Sequence, residues 1–210
     1  MLNRRILLAS AACAAVAPGL VRAAVPTSSQ AAVGRPAPAF DVIDSSKRQR
    51  TLAEFKGKTV VLEWSSASCP FAKAQYVSGR MPELQKWAGQ QGVIWLTVLS
   101  SHSSRSDYLE PDKAEAFNRG RGGAPSALLI DASGAVGGAY GAKTANHMFV
   151  VGSDGTLVYA GGIDDGETMN PKKVLAAHNY VQAALEDIVA GKAVRVATTQ
   201  PFGCALAYAG

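Results

Sequence analysis

Cys69 is the residue whose surroundings carry the most chemistry. It follows the apolar run Val60-Val61-Leu62-Glu63-Trp64 and a turn of small residues, Ser65 to Ser68, and it precedes Pro70-Phe71-Ala72. That order predicts a strand, a turn and a helix that opens at the cysteine. The free N–H groups and positive dipole end of a helix start favour thiolate over thiol. Lys73, one turn on, adds positive charge on the same side. A thiolate so placed can attack a disulfide or a peroxide, becoming a mixed disulfide or a sulfenic acid. A two-cysteine redox motif would place its second cysteine three residues on, where this chain has Ala72. The distant Cys204, in the tail Thr199-Gln200-Pro201-Phe202-Gly203-Cys204, is the other candidate for closing a disulfide. Other readings stand beside this one: a buried inert thiol at Cys69, an isolated tail thiol at Cys204, or a fixed Cys69–Cys204 bridge.

Trp64 and Phe71 flank the cysteine and are candidates for an apolar rim that meets substrate. Aromatics at a strand end and a helix start also serve as core. His147 and Cys69 carry the imidazole and thiol donors that a soft metal site of the kind copper prefers would use. His102 and His178 read as surface or structural residues, and Asp164-Asp165 as turn residues.

The elements that must position these groups follow from the pattern. Residues 1–23 read as an export signal: Arg4 and Arg5 precede a mostly apolar stretch from Ile6 to Leu20, and Val21-Arg22-Ala23 offers small residues at a cleavage site. The apolar stretch is shorter than a membrane span. The paired arginines allow a twin-arginine route, and Cys13 lacks the preceding leucine of a lipoprotein site. Removing these residues takes away three arginines and no acid, so the formal charge falls from +5 to +2. The basic balance is largely the signal's, and no case for nucleic acid remains. The exported chain keeps two cysteines and enters a compartment where disulfides persist. Residues 24–35 read as a flexible lead-in, and 36–210 as one domain.

Within that domain, Ala39–Asp44, Lys58–Trp64, Val93–Leu99 and Ala127–Asp131 read as strands. Lys47–Arg50 reads as polar turn. Thr51-Leu52-Ala53-Glu54 has capping-box spacing for a short helix. A longer helix, interrupted by Gly79 and Pro82, is expected from Cys69 to about Gly89. Shorter helical segments are expected over 112–118 and 135–140. His147–Val151 and Thr156–Ala160 flank Ser153-Asp154-Gly155, a hairpin signal. Asn170-Pro171 opens a helix whose apolar positions Val174, Val181, Leu185 and Ile188 continue to Gly191. The succession is α/β, a mixed sheet covered by helices on both faces.

At this level the chain resembles the thioredoxin superfamily, and more closely its peroxiredoxin-like, redoxin-domain members related to alkyl hydroperoxide reductase and thiol-specific antioxidant. The residues that carry the resemblance are Cys69-Pro70-Phe71, Tyr76 with Ser78-Gly79 and Met81, Gly92–Leu96, Ser100-Ser101, Tyr140–Thr144, His147-Met148-Phe149, Gly162–Asp165 and Thr199–Cys204. The resemblance implies a thioredoxin-like fold, with Cys69 as nucleophile and Cys204 or an external thiol as its resolving partner. It departs at three places. Ala72 replaces a second cysteine. Asn146 stands where the superfamily has a cis-proline beside the substrate edge, and a cis bond there would cost about 3–4 kcal/mol, so a trans bond is expected. Leu62 and Ser66 replace the proline and threonine of peroxiredoxins proper. Ser66 can still donate a hydrogen bond to a thiolate or peroxide oxygen, and Arg119 and Arg121 are the candidates for a peroxide-activating arginine.

The expected site therefore comprises Cys69, Cys204 and Ser66 as catalytic residues, with Trp64, Phe71, Lys73, Asn146 and His147 meeting substrate, and no metal or organic cofactor. The expected partners are a disulfide-bearing protein or a peroxide and an external thiol reductant, with no nucleic acid and no membrane in the mature form. The expected place is the periplasm or the exterior. The alternatives are a non-catalytic thioredoxin-fold module that binds copper or a partner protein through Cys69 and His147, and a degenerate redox domain with a structural bridge.

Overall fold

The structure, a computed structural model, describes residues 30–206 and Tyr208. The expected export signal and the first part of the lead-in lie outside the described residues. The chain forms β1 (Asp41–Ile43), β2 (Gln49–Thr51), β3 (Val60–Trp64), α1 (Pro70–Val77), α2 (Arg80–Gln90), β4 (Ile94–Leu99) and α3 (Pro111–Gly120). It continues through β5 (Ala127–Ile130), α4 (Ala135–Tyr140), β6 (His147–Val151), β7 (Leu157–Gly162), α5 (Pro171–Ala176) and α6 (Tyr180–Val189).

Five strands make one sheet in the order β5-β4-β3-β6-β7. The β3–β4 and β4–β5 pairs are parallel, while β3–β6 and β6–β7 are antiparallel. The two-residue alternation of strands sends Val61, Trp95, Met148, Val150 and Tyr159 to one face, where Met81, Leu84 and Ala88 of α2 and Val181 and Leu185 of α6 cover them. Leu62, Trp64, Leu96, Val98 and Phe149 point to the other face, under Val136 and Tyr140 of α4 and Phe40. The α/β class and the mixed, doubly covered sheet are thus as expected. No helix among the described residues is long and apolar enough to cross a membrane.

Three local expectations need correction. Lys47–Arg50 is not only turn: Gln49–Thr51 pairs with β1, with Arg50 opposite Val42. Its polarity is offset by charge pairing, since the Arg50 guanidinium lies 2.8 Å from Asp44 and 3.1 Å from Glu54. Residues 30–35 are anchored rather than flexible: Gly34 N–H donates to Leu157 O (2.8 Å) and Leu157 N–H to Arg35 O (2.9 Å). The helix expected from Pro171 to Gly191 is two helices. Ala177 is extended, and Asn179 caps α6 by accepting from Gln182 N–H at 2.8 Å. The Asp165 carboxylate takes the His178 N–H at 2.8 Å, so the break is stabilised by its own hydrogen bonds. The interruption of the earlier helix falls at Gly79, which adopts a left-handed φ of 82°. Pro82 sits in the first turn of α2, where a missing N–H does no harm.

A carboxyl lies inside the covered sheet. Glu63 is fully buried and accepts from Tyr76 Oη (2.8 Å), Gln85 Nε2 (2.9 Å), Trp95 Nε1 (2.8 Å) and Thr97 Oγ1 (2.9 Å). It ties β3, β4, α1 and α2 together beneath the cysteine turn. Glu63→Leu would leave several buried donors without an acceptor, and a loss of about 3–5 kcal/mol is expected. Urea unfolding of the variant checks this; a change under about 1 kcal/mol would mean the network contributes little.

Candidate functional site

The chain leaves the sheet where Ser65 N–H donates to Val98 O (3.0 Å) and rises through Ser66–Ser68 to Cys69. Cys69 is the N-cap residue of α1, Pro70 opens the helix, and Lys73 N–H closes the first turn on Cys69 O at 2.9 Å. The cysteine therefore occupies the helix start expected of it. It is not open to solvent: 1 % of its surface is exposed, under Phe71, Ala72, Ala145 and Cys204.

Cys204 covers it. The two are joined in a disulfide across 135 residues, with Cα atoms 5.7 Å apart, and Cys204 N–H points at Cys69 Sγ from 3.3 Å. The tail reaches this place along the sheet edge. Ala160 N–H donates to Ala197 O (3.0 Å), and Gly162 N–H to Thr199 Oγ1 (3.0 Å). Phe202 then packs edge-on against Phe71, their ring centres 6.1 Å apart. Beyond it the tail runs antiparallel to the segment before β6: Ala145 N–H donates to Cys204 O (2.9 Å) and Leu206 N–H to Lys143 O (2.9 Å). Gly203 makes the final approach with φ of 130°, and a Cβ there would fall on Ala145 O.

The other expected site residues divide. Phe71 belongs to the wall around the sulfurs. Asn146 is trans, as expected, with no cis peptide among the described residues; it is left-handed at φ 67° and its N–H donates to Trp64 O (2.8 Å). Its side-chain amide is buried without a partner among the described residues. Ser66 Oγ contacts Asp107 Oδ2 (3.2 Å) and Ser68 Oγ (3.2 Å). Lys73 is exposed and faces a cavity that Ser66 and Arg121 also line. Trp64 is the clear correction. It is fully buried against Tyr140 and Phe149 on the α4 side, with Nε1 donating to Ser100 Oγ at 3.0 Å, and offers no surface to a substrate. Strand alternation sends it to the opposite face from Glu63. Of the two arginines, Arg119 is exposed, whereas Arg121 is stacked on Tyr76 and bonded to Ser65.

His147 is buried, stacked on Phe149 with ring centres 4.3 Å apart. Lys143 N–H donates to its Nδ1 at 3.2 Å. Burial, with nearby Lys143, lowers its pKa from 6.5 to about 4, so the ring is neutral at pH 7. With Cys69 bonded to Cys204, the sulfur of the conjectured copper pair is held in the disulfide and is not a thiolate. No metal-holding group of three or more His, Cys, Asp or Glu occurs among the described residues. The lowered pKa has a sign. As pH falls below 6.5 the unfolded chain gains a proton that the folded chain refuses until about 4, so stability drops across that window and levels off below it. The contribution is about 3 kcal/mol, and His147→Gln is expected to remove it. Urea midpoints of both proteins at pH 7 and pH 4.5 check this; parallel pH profiles would contradict it.

Four residues of this neighbourhood escape the sequence reading: Glu63, Asp107, Ala145 and Phe202. Glu63 was legible in principle, as an acid within an apolar strand. Ala145 acts through packing and main-chain pairing, which leave no motif, and Phe202 lies in the tail motif without its contact to Phe71 being readable from it. Asp164 is more than a turn residue: it is buried, accepts from Gln75 Nε2 at 2.6 Å, and burial raises its pKa.

Comparison with known proteins agrees with this architecture. A hypothetical protein from Sinorhizobium meliloti 1021 superposes with a TM-score of 0.69 at 24% identity, covering 87% of this chain and 97% of that one. An uncharacterized conserved protein from Geobacillus kaustophilus gives 0.71 at 20% identity, covering 85% and 93%. The thioredoxin domain of a thiol-disulfide oxidoreductase from Bacteroides vulgatus gives 0.50 at 20% identity, covering 61% and 87%. A search of curated proteins gave no match. The last of these likenesses, with the sheet order and helices described above, shows the thioredoxin-like fold. Residues 33–160, more than half of the chain, match the AhpC/TSA family, and the chain belongs to that family.

Proposed function

We propose that the protein is an exported thiol-dependent oxidoreductase that cycles between a Cys69/Cys204 dithiol and the disulfide. With a disulfide substrate, the Cys69 thiolate attacks one sulfur, the substrate S–S bond breaks and one substrate thiol leaves. The Cys204 thiolate then attacks Cys69 Sγ and releases the second thiol. With a peroxide, Cys69 becomes a sulfenic acid as water or an alcohol leaves, and Cys204 displaces a second water. In both cases an external thiol reductant returns two electrons. Ser66, Phe71, Lys73, Asn146 and His147 would frame the reaction. The main support is the docked tail, which seats Cys204 on Cys69 through main-chain pairing at Lys143–Ala145. Covalent chemistry needs that seat, and a peptide substrate could pair along the same edge once the tail has left.

Export rests on the basic and apolar pattern of residues 1–23 and on a cysteine pair suited to an oxidising compartment. Hydrogen peroxide titration of the reduced protein, followed by intact mass, tests the chemistry. The wild type should pass to a disulfide, Cys204→Ser should accumulate a sulfenic acid, and Cys69→Ser should do neither. No sulfenic acid in Cys204→Ser and no mixed disulfide with a model disulfide would rule out Cys69 as the attacking group.

A further inference from the structure

The tail that carries Cys204 has a two-residue rhythm. Phe202, Cys204, Leu206 and Tyr208 alternate with Gly203, Ala205 and Ala207. In an extended segment every second side chain turns to the same side. Phe202 is 8% exposed and packs on Phe71 in the core cluster under α2 and α6. Leu206 packs instead against the cluster on the α4 face. The Tyr208 ring lies where a Cβ at Gly134 or Gly137 would fall, and its hydroxyl donates to Ala142 O at 2.7 Å. The alternate positions are small. Ala205 is exposed, and a Cβ at Gly203 would clash with Ala145 O.

Main-chain bonds set this register. Ala145 N–H donates to Cys204 O and Leu206 N–H to Lys143 O, both at 2.9 Å, and Thr144 pairs antiparallel with Ala205. Such bonds are blind to side chains, so any extended segment with a cysteine could make them. Discrimination lies in the places for alternate side chains. The Cys69–Cys204 bond is chemically the bond that a mixed disulfide between Cys69 and a substrate cysteine contains. The docked tail thus occupies the position that Cys69 chemistry demands of a cysteine-bearing strand.

We infer that the substrate is an extended protein segment with the tail's own pattern. Its cysteine has glycine before it, an aromatic residue two places before, an aliphatic residue two places after and an aromatic residue four places after. The assignment rests on the proposed thiol–disulfide chemistry and names its substrate class. The segment takes the tail's place on Lys143–Ala145 once reduction frees the tail. The Cys69 thiolate bonds to the segment's cysteine sulfur, the segment's own disulfide breaks, and its other sulfur leaves as a thiolate. Cys204 regains its place as the segment's flanks let go.

The test uses the reduced full-length mature chain with Cys204→Ser. The probe is the peptide Gln-Pro-Phe-Gly-Cys-Ala-Leu-Ala-Tyr, its cysteine activated as the disulfide of 2-nitro-5-thiobenzoate, whose absorbance on release reads attack by Cys69. A second peptide of the same composition exchanges Phe with Gly and Leu with its neighbouring Ala, which sends both apolar side chains outward. A third has valine before the cysteine. Each rate is divided by that of free glutathione with the same peptide. The tail of the variant competes equally with all three, so their ratio is the readout. The first should react at least about tenfold faster than either other. Replacing its tyrosine by alanine should cost about threefold or more, and Gly137→Ala in the protein, which fills the tyrosine's place, should erase that difference. Equal peptide rates beside ready attack on glutathione disulfide, or a tyrosine effect that survives Gly137→Ala, would overturn the assignment and leave the redox reading standing. No attack on glutathione disulfide or on any peptide would sink the redox reading and the assignment with it.

Discussion

Gly203→Val is expected to leave the domain folded while weakening the Cys69–Cys204 disulfide on the order of a hundredfold. The effect follows from backbone geometry. Gly203 holds φ at 130°, a region that β-branched residues do not adopt, and a Cβ there would clash with Ala145 O. Valine must therefore lift the chain from the edge where Ala145 N–H binds Cys204 O. The sheet itself does not include Gly203, and the loss falls on the tail and on its neighbour Phe202, which packs at the edge of the core under α2 and α6. Equilibration in glutathione buffers, followed by mass analysis, measures the disulfide fraction. Iodoacetamide labelling should show a more accessible Cys69 thiol. A wild-type disulfide constant in the folded variant would mean that docking does not position Cys204.

Cys69→Ser should abolish turnover with either disulfide or peroxide, by a factor on the order of 10³ or more, because no other nucleophile occupies the helix start. Cys204→Ser should behave differently. It keeps the attacking thiol, and an external thiol can resolve the intermediate, so a loss of about tenfold that excess reductant reverses is expected. Single-turnover and steady-state assays of the two variants separate attack from resolution. Equal losses, neither relieved by thiol, would point to a bridge that merely holds the fold.

Much of this site is legible in local pattern. The strand-turn-helix around Cys69, the hairpin at Asp154-Gly155 and the mixed sheet all follow from short-range periodicity and turn chemistry. The misses come from interactions that local pattern does not encode. Helical spacing of Val174, Val181 and Leu185 runs straight through the break at Ala177–Asn179, because the hydrogen bond from His178 N–H to Asp165 that stabilises the break, together with the cap at Asn179, depends on the tertiary arrangement. Trp64 reads as a rim residue by proximity in sequence, yet alternation in a strand buried on both faces sends it into the core. Gln49–Thr51 lacks apolar residues and pairs through Arg50, Asp44 and Glu54 instead. The meeting of Cys204 with Cys69 is implied by resemblance, but its register on Lys143–Ala145 is visible only in three dimensions.

The central claim is that the Cys69–Cys204 disulfide is a working redox pair rather than a permanent staple. Its most direct test is equilibrium redox titration of the mature protein against thiol buffers, with each state read by alkylation and intact mass. The account predicts one reversible two-electron transition above about −300 mV, with the fold retained in both states and the Cys69 thiol reactive in the reduced one. A disulfide that resists reduction until well below that value, or whose reduction unfolds the domain, would contradict it.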